Sequence, residues 1–387
     1  MSIIQPFLDA QEQRTRELAE LRRAGRKVIG FFCLHTPAVL IEAAGGIPVR
    51  LCLQGDSFVQ RRGEVLGRSC ICPFIKACLG HLEQRHPLFA QVDAIAAGSM
   101  CDQIRHLADI WRSRFHKPAY VFFQPRGLEQ RASGWIYRRE LRWLFAELAA
   151  FCGGDTKEQE LKEIIARYNL INWYLSVLHE LRAEDVPPIT GKEWLAVVGA
   201  GFMLASGHYL HLLRSLIEGI ARGKGRCRGT AVRIMLAGGM LAQGDDRLVQ
   251  TVEEGGAVVV TDALCTGTRV MGSKIAVQGN LLDNIIDAHR GKTPCIHARP
   301  NDGLYAYIDR QLKQFRVDGV IYHGLKFCEG WGSEWVRMQQ FLKGRGVLNI
   351  VLDTDYGATD AGQLATRIGA FLEMLRAQKE GMYDGVL

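Results

Sequence analysis

The stretch Val92-Asp93-Ala94-Ile95-Ala96-Ala97-Gly98-Ser99-Met100-Cys101-Asp102 decides how the chain is read. Its first half is a short apolar run, the pattern of a strand buried on both faces. A helical pattern follows to about Phe115, and Ala119-Tyr120-Val121-Phe122-Phe123 then reads as another strand. Upstream, Lys27 to Cys33 reads as a strand, Pro37 opens a helix that stops at Gly45-Gly46, and Ile47 to Leu51 reads as a second strand. Residues 7–25 suggest an amphipathic helix, and the segment after Cys72 is helical to about Glu83. Strands alternating with helices in this way predict a parallel sheet.

Downstream the pattern changes and then returns. From Trp135 to about Glu218 it is helical, interrupted at Gly153-Gly154 and Pro187-Pro188, and Arg222 to Gly229 reads as an exposed connection. A second β/α series has strands at Val232–Leu236, Ala257–Val260, Val317–Tyr322 and Val347–Leu352. A last helix runs from about Asp360 to Gln378, with Thr359 or Asp360 as its cap. The expected fold is α/β: an N-terminal α/β domain over 1–134, a helical connecting segment over 135–230 and a C-terminal α/β domain over 231–387. The two α/β halves suggest distant copies of one unit.

The 387 residues are 48% apolar and 23% charged, as in globular proteins generally. No apolar run reaches the ~18 residues of a membrane span. Met1 to Pro6 has no basic segment followed by an apolar one, so no secretory signal is expected and a cytoplasmic location is. Net charge is +7, with much of it in Gln60–Arg68 and Arg222–Arg233. Solvated surface is the plainer reading of that charge. No nucleic-acid module accompanies it, and no nucleic-acid partner is expected.

The 11 cysteines are an odd number in a long chain, which disfavours a disulfide framework and favours cofactor binding or buried thiols. Cys101 and Cys328 each follow an apolar run that reads as a strand, and Cys72, before Pro73, stands where a helix starts. Ligands of open α/β sheets bind at the carboxyl ends of strands, and a helix N-terminus favours thiolate. The helix after Cys328 is expected to start near Ser333. Three such thiols suit iron and sulfide and would leave one iron of a four-iron cluster without a protein ligand. Cys70, Cys72 and Cys78 form C-x-C-x5-C, which departs from the C-x2-4-C of structural zinc. Cys72 is preferred over Cys70 because it is nearer the helix start, and Cys78 reads as packing. Cys33, Cys265 and Cys295 occupy similar loops and could ligate a second iron–sulfur unit or be incidental. Cys52, Cys152 and Cys227 read as structural or exposed.

Other segments offer weaker signals. Asp353-Thr354-Asp355-Tyr356-Gly357 follows a strand, and its carboxylates either orient a ligand or cap a turn. Leu236-Ala237-Gly238-Gly239-Met240 allows close backbone approach to a ligand, but neither it nor Gly199-Ala200-Gly201 has the G-x-G-x-x-G pattern, so nicotinamide binding is not expected. His35, His297 and His323 are the candidate proton-moving residues, with His106 also near the thiol loops.

Four segments together carry a family resemblance: Gly30-Phe31-Phe32-Cys33-Leu34-His35-Thr36-Pro37 through Ala43-Ala44-Gly45-Gly46-Ile47-Pro48-Val49-Arg50; Met100-Cys101-Asp102; Asp318-Gly319-Val320-Ile321 through Lys326-Phe327-Cys328; and Asp353-Thr354-Asp355-Tyr356 through Gln363 to Phe371. Over about residues 25–378 the chain resembles the 2-hydroxyacyl-CoA dehydratase and benzoyl-CoA reductase family, in particular its iron–sulfur catalytic component. The resemblance implies two flavodoxin/Rossmann-like parallel-sheet domains and a [4Fe-4S] cluster on Cys72, Cys101 and Cys328. It also implies an ATP-dependent activator carrying its own cluster, a homodimer or a heterodimer with a related subunit, and oxygen sensitivity. The implied activity is one-electron chemistry on an acyl-CoA thioester: a ketyl-type radical makes the β-proton removable so that water can leave, or the electron stays with the product. A non-catalytic role as the partner subunit of a heterodimeric dehydratase is a further alternative. The chain is also similar to the double-cubane cluster proteins of the same superfamily, [8Fe-9S] reductases of small molecules with six cysteine ligands. Cys33, Cys265 and Cys295 fall where the additional ligands would be wanted. Ser99-Met100-Cys101-Asp102 replaces a more usual Thr before Cys, and Phe327-Cys328-Glu329 resembles the dehydratase and reductase side more closely.

Overall fold

The structure is a computed structural model that describes residues 2–223, 232–356 and 361–381. In chain order, the first part comprises α1 (Gln5–Arg23), β1 (Val28–Phe31), α2 (Ala38–Ala43), β2 (Ile47–Arg50), α3 (Ser57–Leu66), α4 (Pro73–Glu83), α5 (Pro87–Ala90), β3 (Ala94–Gly98), α6 (Asp102–Phe115) and β4 (Ala119–Phe122). Four helices follow: α7 (Arg131–Cys152), α8 (Glu158–Leu181), α9 (Gly191–Ala200) and α10 (Ser206–Ala221). The last part comprises β5 (Val232–Gly238), α11 (Arg247–Glu254), β6 (Ala257–Asp262), α12 (Leu281–Arg290), α13 (Asp302–Gln314), β7 (Gly319–Leu325), α14 (Glu329–Lys343), β8 (Leu348–Thr354) and α15 (Ala361–Lys379).

The strands form two parallel sheets, ordered β2-β1-β3-β4 and β6-β5-β7-β8. Numbered within its own half, each sheet runs 2-1-3-4, so the expectation of two parallel-sheet α/β units holds. Apolar runs make these strands because both faces are covered. In β5, Val232, Ile234 and Leu236 face the cluster that holds Leu372 of α15, while Met235 and Ala237 face the one that holds Leu312 of α13. In the first sheet, Val28 and Ile95 pack with α4 and α6, and Ile29, Ala94 and Ala96 pack with α2, α7 and α12.

Helix α12 belongs to the C-terminal part of the chain, yet Leu281, Ile285 and Ile286 are buried with the first sheet. Similarly, α1 places Phe7 and Ala10 against α8, α9 and α10. Helix α8, about 36 Å long at 1.5 Å per residue, packs Ile164 and Ile165 with the first sheet and points His179 at Thr261 of β6. The two sheets are therefore held against one another by shared helices.

Three readings need correction. The helix after Cys328 starts at Glu329 rather than near Ser333. The basic stretch 60–68 is carried largely by α3, where Arg61 and Arg62 face solvent, but Arg233 is buried and donates to the carbonyls of Phe315, Glu184, Arg182 and Ala183. The Gly238-Gly239 turn approaches backbone, not ligand: Gly238 has φ +108°, a Cβ there would lie 2.2 Å from the His323 carbonyl oxygen, and Gly239 N–H donates to that oxygen at 2.6 Å. Cys227, most of the 222–229 connection, Gly357 and the cap at Thr359 or Asp360 lie outside the described residues.

Candidate functional site

In a parallel sheet ordered 2-1-3-4 the order in which strands are added reverses between the first and third strands, and the crevice beyond their carboxyl ends is where such folds bind ligands. Here the two sheets share one such crevice. A cavity of about 880 Å³, counted up to its open mouth, lies between loops that follow strands of both sheets. Cys33, Cys72, Cys101, Cys265, Cys295 and Cys328 all line it, and all are free thiols. Cys70 is exposed and does not line the cavity, while Cys78 is buried on α4 with its thiol near the Leu51 carbonyl, 3.6 Å away.

Cys72, Cys101 and Cys328 are the residues directly preceding α4, α6 and α14. First-turn amides of each helix favour its thiolate: Phe74 and Ile75 act on Cys72, Ile104 and Gln103 on Cys101, and Trp331 on Cys328. Burial outweighs them. It raises Cys72 and Cys101, pushes Cys328 up to about 11 and, together with the Cys295 and Cys265 thiols, pushes Cys33 up to about 12. Burial likewise raises Cys295, against the nearby Arg269 charge.

The thiols influence one another in two groups. Cys72 is raised by Cys328 and Cys101, and Cys33 by Cys295 and Cys265. Cys328 also feels Cys265 and Cys295, which joins the groups. Among the described residues, no three His, Cys, Asp or Glu side chains are close enough to share a single metal ion. A tetrahedral zinc with 2.3 Å bonds needs its sulfurs about 3.8 Å apart, so these thiols surround a space rather than converge on a point.

Buried cations surround that space. Arg50 and Arg269 line the cavity and are 1% and 2% exposed. Arg50 donates to the Phe32 carbonyl at 3.0 Å and the Cys265 carbonyl at 2.8 Å, and Arg269 donates to the Pro294 carbonyl at 2.6 Å. Arg50 Nη2 and Arg269 Nε are buried without a partner. Among the described residues neither guanidinium is paired with an acid. Buried positive charge of this kind is costly unless an anion offsets it.

The candidate histidines separate. His35 and His297 line the thiol cavity, whereas His323 lines another, with Asp245, Asp353 and Thr354. Burial, with Arg269, Lys292 and Arg50 adding to it, lowers His35 to about 3, and its Nε2 has no partner. His297 is lowered by burial and by Arg126; its ring packs so closely on α14 that a Cβ at Gly330 would lie 2.8 Å from it. Both ring nitrogens of His323 are spent, on Thr354 Oγ1 at 2.6 Å and the Gly239 carbonyl at 3.3 Å. Of the Asp353–Tyr356 carboxylates, Asp355 pairs with Lys326 at 2.9 Å. His106 is exposed on α6.

Two residues that the sequence reading gave no role tie the thiol loops together. Gln103 accepts from the Cys72 N–H at 2.7 Å and donates from Nε2 to the Phe327 carbonyl at 2.9 Å, so one carboxamide joins a loop from each half. Phe327 takes a left-handed φ of 61° and is half exposed. Arg50 does the same work between β2 and the Cys265 loop. A charged residue ending an apolar strand was a legible signal for Arg50; Gln103 had none, because its second partner is 224 residues away.

A doubly wound protein with six reduced thiols from loops of both sheets, set in one crevice among buried cations, defines a class suited to a polynuclear thiolate-held cofactor. The family model described as 2-hydroxyglutaryl-CoA dehydratase, D-component, matches residues 33–375, and the chain belongs to that family. It is similar to YjiM of Escherichia coli (strain K12), named for a dehydratase subunit, with 25% identity over 97% of this chain and 98% of that protein. It is also similar to a subunit of the benzoyl-CoA reductase of Thauera aromatica, with 22% identity over 79% of each chain, and to the (R)-phenyllactyl-CoA dehydratase beta subunit of Clostridium sporogenes, with 18% identity over 92% of this chain and 94% of that one.

Proposed function

We propose that this protein holds a bridged double iron–sulfur cluster on all six loop thiols and, fed by an ATP-dependent activator, reduces small molecules. The observation that carries this reading is the joint lining of one cavity by Cys33, Cys265 and Cys295 together with Cys72, Cys101 and Cys328. The donor set fits the group. Six thiolates around iron and sulfide bring negative charge, which suits the unpaired guanidinium atoms of Arg50 and Arg269 and the N-termini of α4, α6 and α14. When bound, such a group supplies low-potential electrons and Lewis-acidic iron.

The chain's own residues do the rest. Gln103 and Arg50 hold the two halves in register around the thiols. Phe74, Ile75, Ile104, Met240, Leu325 and Trp331 give the cavity an apolar lining that limits water. His35 is kept neutral by its buried cationic surroundings, leaving its imidazole to donate or accept one hydrogen bond. Anaerobic reconstitution with iron and sulfide counting tests the reading: about eight irons per chain is the expected result for two cubanes, and about four overturns it in favour of a single cluster.

A second reading, a [4Fe-4S] component of a dimeric 2-hydroxyacyl-CoA dehydratase or benzoyl-CoA reductase on Cys72, Cys101 and Cys328, draws on the relatives' names. It also draws on the apolar cavity that adjoins the thiols. Turnover of an acyl-CoA by the lone chain with activator, ATP and reductant would favour it; turnover that appears only with a sister subunit would make this chain the partner in a heterodimer.

A further inference from the structure

Beside the thiol cavity lies a second space of about 940 Å³, also counted to its mouth. Helix α8 supplies Ile171 and Leu175 to its wall, α9 supplies Val198, and β1, α2 and α12 supply Phe31, Val39 and Ile285. Leu34 and Arg50 line both spaces, so the two adjoin there. Small-molecule sites pair an apolar body with a few placed polar groups.

Most polar groups in this wall are already used. Asn169 exchanges both hydrogen bonds with the Ile275 backbone and Asn172 does so with Gly272; Tyr168 donates to Glu42 and Tyr209 to the Val197 carbonyl. Spare capacity remains at Thr36 Oγ1, Arg50 Nη2 and His289 Nε2, all buried without a partner on residues no more than 6% exposed. Lys292, also in the wall, donates to the Val270 carbonyl at 2.8 Å and, among the described residues, is paired with no acid. Arg50, Lys292 and His289 are close enough to act on one another. The Arg50 charge acts on Lys292, the Lys292 charge acts on His289, and the His289 ring lies 6.3 Å from that of His35 at the thiol cavity. Two cations without an acid and an open imidazole nitrogen thus stand together in the wall of a largely apolar chamber that also carries the open Thr36 hydroxyl.

We propose that this chamber binds a small apolar monocarboxylate, its carboxylate at Arg50 and Lys292 and its hydrocarbon body between α8 and β1. Arg50 presents planar donors suited to a carboxylate, and Thr36 and His289 can complete the oxygen's bonding. The proposal does not depend on the thiols holding iron. It differs from a thioester site in requiring a full negative charge at the junction of the two spaces.

The test is calorimetric titration of the full-length protein, anaerobically reconstituted and also iron-free, with benzoate and hexanoate as probes. Comparison probes are benzyl alcohol, acetate and the N-acetylcysteamine thioester of benzoate. Benzoate and hexanoate are expected to bind both forms, with the alcohol, the neutral thioester and acetate at least about tenfold weaker, the factor that loss of a charged hydrogen bond or of the apolar contact implies. Lys292→Met should raise the benzoate Kd about ten- to a hundredfold, and Leu175→Trp, which fills the chamber, should abolish binding of every probe. Benzoate binding unchanged in either variant overturns the proposal, as does binding of the alcohol or thioester as tight as that of the acid. Iron counted on the same samples separates the two readings. Benzoate binding to a protein that takes up no iron leaves the chamber standing and removes the cluster; full iron without benzoate binding does the reverse.

Discussion

The two sheets share a strand order but place their thiols differently along it. After its first strand the N-terminal sheet carries Cys33, whereas the C-terminal sheet carries Gly238-Gly239, pressed against the His323 carbonyl. Between second and third strands the N-terminal half carries Cys72, and the C-terminal half carries both Cys265 and Cys295. After the third strand each half has one, Cys101 and Cys328. Each half thus gives three thiols to the cavity, yet each electrostatic group takes two from one half and one from the other: Cys72 and Cys101 with Cys328, and Cys265 and Cys295 with Cys33. Exchange of one thiol across the crevice means that neither half alone presents a complete set. The site needs the two sheets held together, by the shared helices α8 and α12 and by direct ties such as Gln103 to Phe327 and Arg50 to Cys265.

The sharpest way to break that comparison is to remove the exchanged thiols. Cys328→Ala and Cys33→Ala are each expected to lower bound iron by about half under the double-cluster reading, with the remaining group intact, whereas a single cluster on Cys72, Cys101 and Cys328 would be lost with Cys328 and indifferent to Cys33. Iron and sulfide counts with electron paramagnetic resonance of the reduced protein read the difference. Next in size is the glycine that stands where the first half has cysteine. Gly238→Ala forces a Cβ to 2.2 Å from a backbone oxygen at φ +108° and is expected to destabilise by about 2–4 kcal/mol. Gly332→Ala, in α14 with nothing within 4 Å of its Cβ, should instead stabilise by about 0.5–1 kcal/mol. Urea midpoints of the two variants check both signs.

Much of the fold was legible because the eight strands come from apolar runs, most of them buried on both faces though the edge strands β4 and β8 are only partly so, and such runs are hard to mistake when helices alternate with them. Cys33, Cys101, Cys265 and Cys328 were legible for the same reason, since a strand's end can be read from the chain and this fold gathers strand ends; Cys72 was marked by the helix start at Pro73, and Cys295, which comes a whole helix after β6, carried no such signal of its place. The packing of α12 on the first sheet was not legible, because its apolar face carries no sign of which sheet it covers. Nor was the burial of Arg233, whose surroundings are backbone carbonyls from remote segments. Gly238-Gly239 was misread because a glycine shows only that something approaches closely, not whether it is ligand or chain.

The tie across the crevice offers a smaller and more specific perturbation. Gln103→Leu leaves the Cys72 N–H and the Phe327 carbonyl without their partner, at an expected cost of about 1–3 kcal/mol. Gln103→Glu keeps an acceptor for Cys72 but sets an oxygen against the Phe327 carbonyl. A side chain that only supports folding would lower the melting temperature in both variants and leave the loaded protein's spectrum unchanged. A side chain that sets the spacing of the Cys72 and Cys328 loops should also broaden the resonance of the reduced cluster and speed iron loss to a chelator, with Glu milder than Leu.

The helix that spans both sheets sharpens the contrast by pH. Helix α8 meets the first sheet with Ile164 and Ile165, which do not titrate, and the second with His179, whose Nε2 lies 3.1 Å from Thr261 Oγ1 between Trp194 and Phe315. Burial, aided by the Arg182 charge, lowers His179 to about 3. A histidine whose folded pKa lies below its unfolded value of ~6.5 takes up its proton only on unfolding. Its contribution is therefore complete above that value and is lost as pH falls from there toward 3. Between pH 7.5 and 6 the loss from this one group is on the order of 1 kcal/mol. His179→Gln, which can still reach Thr261, should flatten that part of the pH profile of urea stability, while Ile165→Val on the same helix should lower stability by about 1 kcal/mol at every pH alike. A profile equally steep in the His179 variant would show that the acid sensitivity of the fold lies elsewhere, among buried groups such as His35 and His289 at the crevice.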